Sequence, residues 1–514
     1  MAKHQKILNK VIFNGNSLKI KDVFNVAVNG FMVESDIEMK EKVDNSRRIV
    51  DKLIAQNKTV YGITTGFGEL SQISIPKEDT ELLQRNLIMS HSVGVGKPFS
   101  EEVVRGAMLI RANSLIKGYS GVRWQIIQML TEMLNKDIYP MIPEKGSLGA
   151  SGDLAPLAHL CLVMLGEGEA KYQGKKMSGA QALRKAGLKP IILQAKEGLA
   201  LINGTAVMSS LGALAVYEAE RLLKLSDIAG ALTFEALEGI RSAYDEHISQ
   251  VRPYKGQRES AENLLSLTEG SELLAETHSS KVQDAYTLRC IPQVHGASRD
   301  AVRYVQGVLQ LEINAATDNP LIFSEEKIIS GGNFHGQPLA LALDFLGIAI
   351  AELGDIAERR IERLLNSNYS NLPAFLVEHN GLNSGFMLTQ YTAASLVSEN
   401  KILSHPASVD SIPVSAGKED HVSMATLAAR KAREIIKNVQ YIIAIELLCA
   451  AQAIDFQLPK KLGRGTKVVH KVIRESIPHL KKDRILYPDI EKSFNLIKNG
   501  KLIEKVEKVI GKLK

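Results

Sequence analysis

Residues 146–160 read Gly-Ser-Leu-Gly-Ala-Ser-Gly-Asp-Leu-Ala-Pro-Leu-Ala-His-Leu, and the tripeptide Ala150-Ser151-Gly152 within them can do chemistry that no side chain does. Small residues on both sides of a serine let the backbone fold tightly on itself. The amide nitrogen of Gly152 can then reach the carbonyl carbon of Ala150. Attack there, with loss of one water from the ring and one from the Ser151 side chain, leaves a methylidene-imidazolone. That ring is an electrophile made from the chain's own atoms. Taken alone, the tripeptide reads more often as a loop before a helix, with Ser151 or Asp153 as the N-cap.

Other stretches carry polar groups in suggestive settings. Tyr61-Gly62-Ile63-Thr64-Thr65-Gly66-Phe67-Gly68 is either a surface loop with an aromatic tip or a lid that presents a general base. A free tyrosine ionises near pH ~10, so a site using Tyr61 as a base has to lower that value. In Gln283-Asp284-Ala285-Tyr286-Thr287-Leu288-Arg289-Cys290, a helix would put Tyr286 and Arg289 on one face. Arg289 is then either half of a structural ion pair or a planar fork able to grip an α-carboxylate. Asn203 and Phe334, each beside glycine, read on their own as a turn residue and a core anchor. His91, in Ser90-His91-Ser92, can give or accept one hydrogen bond when neutral. Glu419 offers a carboxylate within Gly417-Lys418-Glu419-Asp420-His421-Val422-Ser423-Met424. A satisfied core histidine and a surface charge are the plain readings of those two.

Taken together and in this order, the segments from about Tyr61 to about Met424 resemble the aromatic amino acid ammonia-lyases. The resemblance implies the methylidene-imidazolone at Ala150-Ser151-Gly152, with no external cofactor and no metal. It implies Tyr61 as the base on a lid, and active-site roles for Tyr286 and Gln283. Arg289 would hold the substrate carboxylate, Asn203 would contact the ring or the substrate amine, and Phe334 would pack beside the ring. The Ser90-His91 pair and Glu419 are similar to those of the histidine-specific members, where they meet the substrate imidazole. Where the family usually has glutamine, this chain has Lys418, which touches substrate preference rather than reaction type. The activity implied is elimination of ammonia from L-histidine to give trans-urocanate. The alternatives are a 2,3-aminomutase on histidine or an aromatic amino acid, a tyrosine or phenylalanine ammonia-lyase, and a catalytically silent helical scaffold. The resemblance also implies a homotetramer, with sites built from three chains.

The elements that would position these residues are mainly helical. Aromatics make up only 5% of the 514 residues, while Ala, Leu, Ile, Glu and Lys are plentiful. Short β-like runs are expected at Lys6–Phe13 and Val23–Val28, and helices at Asp36–Gln56, Lys77–Met89, Glu101–Leu115 and Val122–Asn135. Apolar residues at Leu339, Leu343, Leu346, Ile350, Leu353, Ala357, Ile361 and Leu364 predict one long helix over Pro338–Asn366. A second stripe spans about Ala428–Ala453. Helices of this length are hard to cover within one subunit, so a homo-oligomer is expected. The reading is therefore a mainly α fold: a mixed N-terminal part (1–205), a central long-helix bundle (206–458) and a polar helical cap (459–514).

Charge and cysteine content exclude several classes. The net charge of +6 is small for the length, and the basic excess after Lys460 carries no aromatic interleaving or nucleic-acid motif. Cys161, Cys290 and Cys449 are far apart, which argues against a disulfide framework and fits a reducing compartment. The N-terminus lacks the apolar core of a signal peptide, and the apolar run Pro338–Leu353 is too short for a bilayer of about 30 Å. A cytoplasmic enzyme of a small amino acid, with neither membrane nor nucleic acid as partner, is the expectation.

Overall fold

The computed structural model describes residues 9–56, 58–60, 62–66, 73, 75–274 and 281–514, and these are mostly helical. Strands are short, and none among the described residues contains a candidate residue. Lys10–Phe13 pairs in parallel with Met32–Ser35, and Ile138–Pro140, Glu169–Tyr172 and Lys175–Ser178 form an antiparallel three-stranded sheet.

Val23–Val28, expected to be β-like from its valines, lies mostly in the helix Ile20–Ala27. Its buried residues, Ile20, Val23, Phe24, Val26 and Ala27, follow steps of three and four rather than two. The Lys19 N–H donates to Asp22 Oδ2 at 2.9 Å and starts the helix. Elsewhere periodicity and structure agree. The helix Glu101–Leu115 has the expected limits, and Lys40–Ala55, Thr80–His91 and Trp124–Asn135 lie within a few residues of theirs. The long stripes form the helices Gln337–Leu365 and Ala425–Asp455, of 29 and 31 residues. All eight predicted apolar positions from Leu339 to Leu364 are buried.

The chain divides into two compact units. The first contains the described residues up to Tyr217, with Val305–Asp344 and Pro406–Arg430. It holds the helix Leu154–Met164 and, just before the long helix Ala206–Ala236, a short helix Glu197–Ile202. The second contains Glu218–Tyr304, Phe345–His405 and Lys431–Lys514. Its core encloses a polar network in which Asp227 accepts from Ser260 (2.8 Å), Asn263 (2.8 Å) and Arg299 (2.5 Å) and bonds His295. Two glycines let the helices Lys255–Leu267 and Ile291–Glu312 approach backbone to backbone, because a Cβ on Gly256 would meet the Gly296 carbonyl. Among the described residues one apolar stretch, Glu197–Ala236, is long enough to cross a membrane, but its most apolar window is wholly buried inside the molecule.

Candidate active site

A cavity of about 990 Å³ opens in the first unit, at the upper end of the usual size for a small-molecule site. Its wall contains Ala150, Ser151, Leu154, Asn203, Phe334, His91 and Glu419. Five separate segments of the sequence thus converge on one space.

The Ala150-Ser151-Gly152 turn is held from several sides. The Ala150 N–H donates to Glu419 Oε2 at 2.8 Å, and the Ala150 carbonyl accepts from the Gly336 N–H at 2.9 Å. Gly149 and Ser423 form an isolated antiparallel bridge, and Ser147 Oγ bonds the Gly152 carbonyl. Gly152 has φ +75°, and a Cβ there would lie 3.0 Å from Met208 Cε. The positive φ is what favours glycine here, and a Cβ would also have to displace the flexible end of Met208. Ser151 is 3% exposed and its Oγ has no hydrogen-bond partner among the described residues. A buried hydroxyl without a partner is costly in a merely structural turn. A serine that sheds its oxygen as water fits that place.

Asp153 follows directly and is fully buried. It occupies the N-cap position of Leu154–Met164 but does not cap that helix with its side chain. Its Oδ2 instead accepts from the Val207 and Met208 N–H groups, at 2.6 and 3.0 Å, in the first turn of Ala206–Ala236. Thr426 Oγ1 donates to its other oxygen at 3.1 Å. Burial pushes the carboxyl up to about 7, although these donors and the Arg111 charge pull the other way.

His91 and Glu419 stand on the polar part of the wall. His91 ends the helix Thr80–His91, and its Nδ1 lies 3.1 Å from Ser90 Oγ. Burial lowers its pKa from 6.5 against the opposing pulls of the Leu87 carbonyl and the Glu419 charge, so the ring is neutral at pH ~7. A backbone bridge joins Val414 and Glu419, and the Glu419 side chain reaches the Ala150 N–H. Lys418, exposed, also lines the cavity. Two further histidines, His335 and His421, line the same space with ring centroids 5.7 Å apart and an interplanar angle of 11°. Sequence reasoning does not single them out. Both nevertheless lie inside the stretches it uses, Asn333-Phe334-His335-Gly336 and Glu419-Asp420-His421, so the signal is there.

Tyr61 lies outside the described residues. Gln283, Tyr286 and Arg289 belong to the second unit, whereas the residues named above as lining the cavity all belong to the first. Tyr286 and Arg289 do share one face of a single helical turn, with the guanidinium 4.7 Å from the ring centroid. Tyr286 is 71% exposed, and Gln283 is exposed too. No group of three or more His, Cys, Asp or Glu among the described residues is placed to hold a metal ion.

A sequence model of the aromatic amino acid lyases matches residues 18–475. The chain belongs to that family. A histidine ammonia-lyase of Alkaliphilus oremlandii is 58% identical to it over 98% of this chain and 99% of its own length. One from Caldanaerobacter subterraneus is also 58% identical, over 97% and 98%. Among solved structures, histidine ammonia-lyase from Trypanosoma cruzi superposes with a TM-score of 0.91 at 44% identity, covering 97% of this chain and 95% of that one. Tyrosine aminomutase from Streptomyces globisporus superposes with a TM-score of 0.95 at 38% identity, covering 98% and 100%. Within this family the fold therefore does not separate lyase from aminomutase.

Proposed function

We propose that this protein is a histidine ammonia-lyase, which eliminates ammonia from L-histidine and releases trans-urocanate. The observation that carries the reading is one cavity in which Ser151, buried and without a hydrogen-bond partner among the described residues, faces the same space as Asn203, neutral His91 and Glu419. The high identity to proteins named histidine ammonia-lyase supports the same substrate.

The residues present fit the family's methylidene-imidazolone, formed when the Gly152 nitrogen attacks the Ala150 carbonyl carbon and two waters leave. When present, that group supplies an electrophilic methylidene carbon, which turns the substrate's poor amine leaving group into a good one. The rest of the work falls to the chain. Asn203 holds the amine side of the substrate at the cavity wall. His91 pairs with one imidazole nitrogen. Glu419 offers its Oε1 to the other, since Oε2 is engaged by the Ala150 N–H. A carboxylate and a neutral imidazole there favour an imidazole over an apolar phenyl ring. Tyr61 takes the weakly acidic β-proton, and Arg289 holds the α-carboxylate through two hydrogen bonds.

We place Gln283, Tyr286 and Arg289 at the site of another copy of this chain, in a homotetramer that works in the cytoplasm. The exposure of Tyr286 and Gln283 supports this. So does the helix Met387–Leu403, whose Leu388, Tyr391 and Ile402 are exposed, as an apolar face awaiting a second copy would be.

The test is direct. Purified protein given L-histidine should release ammonia and develop the near-UV absorbance of urocanate, with far slower turnover of tyrosine and phenylalanine. NMR of the products should find no β-amino acid, which an aminomutase would make. Its intact mass should be two waters below the sequence value. Ser151→Ala should restore that mass and abolish nearly all turnover; normal turnover by this variant would refute the electrophile.

A further inference from the structure

Asn203 stands at the C-terminal end of Glu197–Ile202, a helix of only six residues. So short a helix has no stability of its own and must be held by its surroundings. At its N-terminus, Gln84 Oε1 accepts from the Gly198 N–H at 2.9 Å, and the buried Glu197 carboxylate binds Arg123 at 2.6 Å. Lys196, in the left-handed region at φ 75°, turns its Nζ to Asp318 Oδ2 at 2.5 Å, both side chains being fully buried. The next residue, Asn319, accepts from the Gly331 N–H at 2.8 Å and donates to Ser330 Oγ at 3.2 Å, which ties down the loop that carries Phe334.

The C-terminal end is held differently. Arg111, on the helix Glu101–Leu115, is fully buried and donates through Nη2 to the Ala200 carbonyl. The last carbonyls of a helix lack partners within it and attract a cation. The neighbouring Gly204 has no side chain, and a Cβ there would collide with Arg111 Nη1. The guanidinium is therefore wedged beneath the Asn203-Gly204 turn. Its Nε and Nη1 find no hydrogen-bond partner among the described residues. A cation stripped of water and left with two unsatisfied nitrogens is a poor device for stability. An apolar side chain would fill that space at lower cost. Beyond its attraction to the buried Asp318 and Asp153 carboxyls, the guanidinium does what an apolar group cannot: it fixes the carbonyl three residues before Asn203.

We propose that Arg111 is a positioning residue for the reaction, holding Asn203 at the orientation in which its amide meets the substrate amine. This rests on the lyase reading above, and the test keeps the two apart. Arg111→Met has nearly the same length but neither charge nor donor, and Arg111→Lys restores the charge and one donor. The Arg111→Met protein should assemble like the parent and show a mass two waters below its sequence value. Its kcat for histidine should fall about 10- to 100-fold, as misplacement of one orienting group does. Its Kd for trans-urocanate, which has no amine, should change less than about threefold, because Asn203 meets only the amine. Arg111→Lys should recover part of kcat. Unchanged kcat with only a lower melting temperature would overturn the proposal. So would disappearance of the mass deficit, which would assign Arg111 to ring formation. An equal fall in urocanate affinity would mean a deformed cavity and would overturn it as well. If the parent protein itself makes no urocanate, the lyase reading fails instead.

Discussion

Replacing Asp153 by asparagine in a Ser151→Ala background isolates one buried carboxyl from the chemistry of its neighbour. Burial pushes this carboxyl from its ordinary 3.8 up to about 7, and the group is fully enclosed. The folded chain therefore keeps a proton that the unfolded chain gives up near pH ~4. The stability this group contributes is fully present below that pH and is lost as pH rises through about 7. Three units, at about 1.36 kcal/mol each, amount to roughly 4 kcal/mol. Asparagine keeps an oxygen for the Val207 and Met208 N–H groups and can donate to Thr426 Oγ1. It does not ionise. Urea unfolding of the single and double variants, at fixed protein concentration and several pH values between about 4.5 and 8, measures the difference. Glu235, Glu312 and Glu352, whose carboxyls burial also raises, contribute equally to both proteins and cancel. The double variant should gain on the single one by up to about 4 kcal/mol as pH rises. Parallel curves would refute the reasoning, and would mean that the N-terminus of Ala206–Ala236 keeps Asp153 ionised throughout.

Glu419→Gln retains an acceptor for the Ala150 N–H but removes the charge proposed to face the imidazole, so the mass deficit should persist. Its kcat/KM for histidine should fall about 10- to 100-fold, with little change for phenylalanine, and equal losses on both substrates would contradict the assignment. Gly296→Ala places a Cβ against the Gln257 backbone, which cannot yield as a side chain can. Overpacking of this kind should cost about 1–3 kcal/mol, visible as a lower melting temperature with kcat unchanged at about 25 °C.

How far the sequence can be read depends on the range of the interaction concerned. Gln337–Leu365 is legible because its periodicity is local, with one face apolar for its whole length. The Val23–Val28 run misleads because valine favours strands by its branching, while the spacing of buried residues favours a helix. Ala150, Ser151, His91, Asn203, Phe334 and Glu419 stand out in sequence and do line one cavity. What cannot be read is what holds them. Asp153 looks like a cap for the helix that follows it, and its carboxylate instead caps one that starts over fifty residues later. Arg111 sits in an apolar helix with nothing nearby in sequence to mark it, because its partners lie at Ala200 and Asp318. Contacts across such separations leave no local pattern.

The bonds around Ser151 also impose an order of events on synthesis. The turn emerges early, yet its support arrives from Gly336, Glu419, Ser423 and Thr426, hundreds of residues further on. A nascent chain that has reached only the first of these has the reacting atoms without the environment that presses them together. On the proposed ring chemistry, maturation would wait on translation: a ribosome-stalled fragment cut short of Glu419 should carry an ordinary serine, however long it is left, and the proposed electrophile would stay out of cellular reach until a cavity exists to contain it.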